Sequence, residues 1–133
     1  MTPVKATINS DYSAGSEVQR RILDAAARHG FKEKCLFALK IAIEEALINA
    51  IKHGNKFDPA KHITVEASIT PKQADIYIED EGPGFDRSQV PDPLTDENLE
   101  KSTGRGILLI ESYMSHVSWD HGGRRVHLVK KRE

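Results

Sequence analysis

The chain is short of several things, and each shortage excludes a class. Its single cysteine, Cys35, allows no internal disulfide, so the expected compartment is the reducing cytoplasm. Cys35 itself reads as a packing residue at the start of a long helix. No apolar run approaches the ~20 residues that cross a bilayer, and Met1-Thr2-Pro3-Val4-Lys5-Ala6 lacks the apolar centre of a signal peptide. Neither charge dominates: 19 basic residues face 20 acidic ones, for a net charge of −1. No global attraction to nucleic acid or to an anionic membrane is therefore expected. The basic residues near the end, Arg124, Arg125, Lys130, Lys131 and Arg132, read as a solvated strand edge and tail. There is no G-x-x-x-x-G-K-[ST], which excludes a P-loop, and no G-x-G-x-x-G of a dinucleotide fold or eukaryotic-type protein kinase. Internal repeats and low-complexity tracts are also missing.

What is present suits one domain over residues 1–133. Val4 to Ile8 alternates as a short strand. Asp11, Ser13 and Ser16 offer caps to a helix with Val18, Ile22, Ala25 and Ala26 on one face, stopping at Gly30. A second helix is expected from about Glu33 to His53, with Leu36, Leu39, Ile43, Leu47 and Ala50 as its buried stripe and Gly54 as its end. Ile63, Val65, Ala67 and Ile69 mark one strand and Ile76 and Ile78 the next, joined by a turn at Thr70-Pro71-Lys72-Gln73. From Asp86 to Thr103 the chain is acidic, proline-broken and poor in apolar residues, a length that compact domains keep for functional lids or disorder. Ile107, Leu108, Ile110 and Met114 give a third helix. Val117 and Trp119, a turn at His121-Gly122-Gly123, and Val126, Leu128 and Val129 complete two more strands. Hairpin-linked strands with helices between them predict an α+β two-layer sandwich, three helices on one face of a mixed, mostly antiparallel sheet of about five strands.

Three stretches carry candidate chemistry. Glu45 and Asn49 lie four apart, one turn over the other on a single helix face. The pair suits a hydrated Mg²⁺ and a polarised hydroxyl or water; taken alone it reads sooner as an exposed polar helix face. Asp80-Glu81-Gly82-Pro83-Gly84-Phe85 puts an acid at a strand end before two glycines. A carboxylate there can accept a hydrogen bond from an exocyclic amine such as that of adenine, and the glycines let a flat ring approach the main chain; an ordinary tight turn reads the same way. Ser102-Thr103-Gly104-Arg105-Gly106 precedes the third helix. Free N–H groups at a helix start attract phosphate, and Arg105 could add charge at a γ-phosphate; a glycine-rich helix start with a solvated arginine is the bland alternative.

In this order and spacing the three stretches resemble the gyrase/Hsp90/histidine-kinase/MutL ATPase superfamily, with its Bergerat-type ATP-binding fold. Glu-Ala-Leu-Ile-Asn-Ala-Ile-Lys-His-Gly-Asn and Gly-Arg-Gly-Ile look like the bacterial anti-sigma-factor serine kinases, and the resemblance spans nearly the whole chain. It implies ATP and Mg²⁺ as cofactors, Asn49 as the metal ligand, Glu45 as the carboxylate base that activates a hydroxyl or water, and Arg105 as a second catalytic residue. It further implies Lys52 on phosphate, Asp80 on the adenine amino group with Gly82 and Gly84 shaping that pocket, an ATP lid over about 86–103, and Thr103, Gly104, Arg105 and Gly106 as the phosphate-binding turn. His53 would be structural or face the lid. One departure is Gly123-Arg124, where the family usually has Gly-Thr, its hydroxyl supporting the adenine-binding acid. The implied function is phosphorylation of a serine on a small antagonist protein and sequestration of a sigma factor or similar target. The alternative is a partner-switching, nucleotide-responsive binding module without transfer. A detached histidine-kinase catalytic domain fits less well, since no dimerising helix pair with a phosphoacceptor histidine is visible. Homodimerisation is a family expectation only.

Overall fold

A computed structural model describes residues 1–84 and 102–132, with the backbone alone for 102–105. The expected lid therefore falls almost wholly outside the described residues. Strands β1 (Thr2–Asn9), β2 (His62–Ile69), β3 (Gln73–Glu79), β4 (His116–Asp120) and β5 (Arg125–Lys131) form one sheet in the order β1-β2-β3-β5-β4. All four pairings are antiparallel, where the sequence left a mixed sheet open. The reason lies in β5. It returns from β4 through a tight turn and inserts beside β3, so β3 and β4 run the same way without being neighbours.

Helices α1 (Tyr12–Arg28), α2 (Glu33–Ile48) and α3 (Ser102–Tyr113) cover one face of the sheet. Alternation decides which face: Ile63, Val65, Ala67 and Ile69 of β2, and Ala74, Ile76 and Ile78 of β3, all point into the core. Asp11 caps α1 by accepting from the Ala14 N–H at 2.8 Å, while Ser13 and Ser16 lie inside that helix. Gly15 is buried against Leu47 and Ile51, so α1 lies close on α2.

Two columns run along the buried side of α2. Leu39, Ile43 and Leu47 fill the core, and Ala38, Ala42 and Ala46 form a shallow strip beside them, continued by Ala50 just past the helix. Leu36, expected in the stripe, is only partly buried and packs on the core margin. The helical segment is also not uniform. Past Ile48 it widens into a π-turn, Asn49–Gly54, a form often found at functional sites.

Candidate active site

The first cluster forms where α2 gives way to the π-turn. Glu45 is on the last full turn of α2 and Asn49 opens the π-turn, both half-buried. Gly106, in the first half of α3, is seated on the pair: a Cβ there would stand 2.9 Å from Glu45 Oε2 and 3.5 Å from Asn49 Oδ1. A side chain there would have to displace the Glu45 carboxylate from its place beside Asn49. Burial, and after it the neighbouring charge of Glu44, holds the Glu45 carboxyl above the usual carboxylate range. The third helix starts at Ser102, so Thr103, Gly104 and Arg105 belong to its first turn rather than preceding it. That turn carries N–H groups with no partner inside the helix.

The second cluster is at the end of β3. Asp80 Oδ1 accepts the Gly82 N–H at 2.8 Å, and Oδ2 accepts no hydrogen bond from the described residues. Burial raises the Asp80 pKa, opposed by the Gly82 N–H and then by the charge of Arg124. The carboxylate rests on Gly54, and Gly82 rests on the Gly54 backbone, so closely that a side chain at either position would collide. Asn55 locks this junction. It is 1 % exposed, donates to Ser10 Oγ and the His62 carbonyl at 3.0 Å each, and accepts from the Glu81 N–H at 2.8 Å.

Between the clusters runs a cleft of about 610 Å³, its open mouth included. Asn49, His53, Gly54, Asp80, Gly84 and Arg124 line it, with apolar walls from Ala46, Ala50, Ile78, Ile107, Ile110 and Val126. The alanines matter here, since larger side chains at 46 and 50 would fill the space. Trp119, the one tryptophan, also faces it. His53 is held below the usual histidine value by burial and then by Lys52.

The structure thus brings together Glu45, Asn49 and Gly106 at one end and Asp80, Gly84 and Gly54 at the other. Gly82 is buried behind Asp80 and shapes the loop without lining the cleft. Lys52 is not gathered in. It is exposed and borders a separate hollow with Tyr12, Gln19 and Glu44, on the side facing α1. For Thr103, Gly104 and Arg105 only the backbone position is described. Asn55 and Trp119 were given no role from the sequence, the Gly54-Asn55 step after a helix end being the one usable signal; Arg124 was expected here only through the resemblance, as a departure from the family's threonine.

Chemically, an apolar slot with one carboxylate oxygen still open suits a flat heterocycle with an exocyclic amine. Among the described residues no three His, Cys, Asp or Glu side chains stand together as a metal set. A cation beside Asn49 would therefore draw its other ligands from phosphate oxygens and water, which is how Mg²⁺ is commonly held.

The profile of the family described as "Histidine kinase-like ATPase domain" matches residues 8–130. The serine-protein kinase RsbW of Listeria innocua serovar 6a is 34% identical over 105 residues, covering 73% of this chain and 67% of that protein. An anti-sigma F factor of Clostridium perfringens is 37% identical over 99 residues, 70% of each. The crystal structure of the RsbU and RsbW domains of Rv1364c from Mycobacterium tuberculosis aligns with all of this chain at a TM-score of 0.66 and 18% identity. This chain spans 32% of that one, and at such identity the likeness is one of fold.

Proposed function

Since the chain belongs to the histidine kinase-like ATPase domain family, we propose that it is an ATP- and Mg²⁺-binding protein serine kinase of the anti-sigma-factor type. The observation that carries this reading is the seating of Gly106 on Glu45 and Asn49, which joins a helix start to an acid and an amide. Asp80 accepts from the adenine amino group. The free N–H groups of the first turn of α3 hold phosphate, joined by Arg105. Asn49 ligates the cation, and Glu45 takes the proton of the acceptor serine. When bound, Mg²⁺·ATP supplies the phosphoryl group and the charge neutralisation that its transfer needs. A phosphate role for Lys52 requires its side chain to swing back over the π-turn from the α1 side.

The acceptor in this reading is a small antagonist protein, and the second partner a sigma factor or similar target, bound in the cytoplasm by a chain whose expected assembly is a homodimer. No helix among the described residues is long and apolar enough to cross a membrane. A second reading, a nucleotide-responsive binding module without transfer, is favoured by Arg124 standing where the resemblance leads one to expect threonine.

The test is calorimetric titration with ATP, with and without Mg²⁺, beside Asn49→Ala and Asp80→Asn. Binding is expected to be Mg-dependent, to lose that dependence in Asn49→Ala, and to be lost in Asp80→Asn. Transfer of label from γ-labelled ATP to a serine of a small antagonist protein, abolished by Glu45→Gln, separates kinase from module. Undiminished ATP affinity in Asp80→Asn would remove the adenine assignment.

A further inference from the structure

Arg124 is exposed, yet it is held at the rim of the cleft rather than in a loose basic tail. Its backbone carbonyl accepts the Asp80 N–H at 3.0 Å, so the two residues face each other where β3 ends and β5 begins. Its side chain lines the same cleft as Asp80. The stem passes over Gly84: a Cβ added there would lie 3.3 Å from Arg124 Cγ. The guanidinium is also held in place. Its Nε donates to the His121 carbonyl at 3.0 Å, and the His121 ring is itself bonded to Glu79 Oε2 at 2.6 Å. That leaves its two terminal nitrogens without a hydrogen bond or ion pair among the described residues. The neighbouring Arg125 makes the contrast, with Nε at 2.7 Å and a terminal nitrogen at 2.6 Å from the Asp120 carboxylate.

An anchored guanidinium at the mouth of an apolar slot, beside a carboxylate it does not pair with, is poised for a ligand that both can touch. A guanidinium is planar and weakly hydrated and stacks on aromatic faces. We infer that Arg124 is a nucleotide-binding residue, its guanidinium stacking on the face of the base whose amino group Asp80 accepts. This rests on the adenine reading of the cleft. It assigns Arg124 to the base end, away from Glu45 and Gly106, so its contribution is independent of the number of phosphates. A threonine hydroxyl at this position could only hydrogen-bond; the arginine substitutes ring contact for that bond.

The experiment is titration of adenosine, ADP and ATP, followed by Trp119 fluorescence and checked by calorimetry, in the unmodified protein and in Arg124→Ala, Arg124→Lys and Asp80→Asn. Arg124→Ala is expected to weaken all three ligands by one common factor, about 2- to 30-fold, and Arg124→Lys by less. Far-UV circular dichroism matching the unmodified protein shows that each variant is folded; Arg124→Lys, which keeps charge and stem, carries the test if the alanine variant is not. Unchanged adenosine affinity in Arg124→Ala, or a loss that grows from adenosine to ATP, overturns the stacking assignment while leaving the adenine reading in place. Asp80→Asn binding all three as the unmodified protein does, or no binding by the unmodified protein, overturns the adenine reading and this inference with it.

Discussion

Glu45 has two causes for its raised pKa, burial first and the charge of Glu44 second, and they can be separated. As a base it must be ionised, so transfer is expected at full rate above the raised pKa and to fall as pH drops through it. Glu44→Gln removes only the second cause. The acid limb of the kcat profile should then move to lower pH with the plateau unchanged, and Glu45→Gln should cost about 10²- to 10⁴-fold in kcat with ATP affinity kept. An acid limb indifferent to Glu44→Gln would belong to another group. The same shift carries a stability sign. A carboxyl whose folded pKa is raised costs stability fully above that pKa and not at all below its unfolded value. Glu45, Asn49 and Asp80 were legible as letters because helical spacing and a strand end fix where such side chains point. Arg124 was not, since its direction depends on a turn with His121 at φ 50° and Gly122 at φ 68°.

The π-turn shows what an element's context adds. The apolar pattern predicts helix to His53, and helix it is, but a single turn of sequence cannot tell 3.6 residues per turn from a wider winding. The loop after β3 tips the balance by resting Gly82 on Gly54 and tying Glu81 to Asn55. Asn55 is thus the clasp between the helix end, the start of β2 and the loop after β3. Asn55→Ala removes three hydrogen bonds from a buried side chain and leaves the part-buried Glu81 N–H without its acceptor, and is expected to cost about 2–4 kcal/mol in urea unfolding. A loss below about 0.5 kcal/mol would mean that the junction is held by backbone packing alone. The alanine column of α2 belongs here too. It reads in sequence as mere helix propensity, and only the place of Ala46 and Ala50 in the cleft wall shows that small side chains there keep the cleft open.

One core joins the whole molecule, with side chains from β1, β2, β3 and β5 and from all three helices, and with Val117 and Trp119 of β4 packed against it. Unfolding should then be a single event. Urea curves from Trp119 fluorescence, at the sheet edge, and from far-UV circular dichroism, dominated by the helices, are expected to coincide. Both should shift together with saturating Mg²⁺·ATP, by about 2.7 kcal/mol at a hundredfold excess over Kd. An earlier fluorescence transition would show that the β4–β5 edge opens by itself.

Local pattern was enough for the layers, the element order and the inward faces, and for marking Glu45, Asn49 and Asp80 as candidate polar positions, because period-2 and period-3.6 patterns and glycine positions act locally. The tertiary structure decided what depends on contact between distant segments. It put β5 between β3 and β4 and made the sheet antiparallel throughout. It widened the helix at Asn49, left Lys52 on the α1 side, and turned Arg124 from the basic end toward the carboxylate of Asp80. No local pattern encodes these, because each is set by which backbone another segment leaves room for.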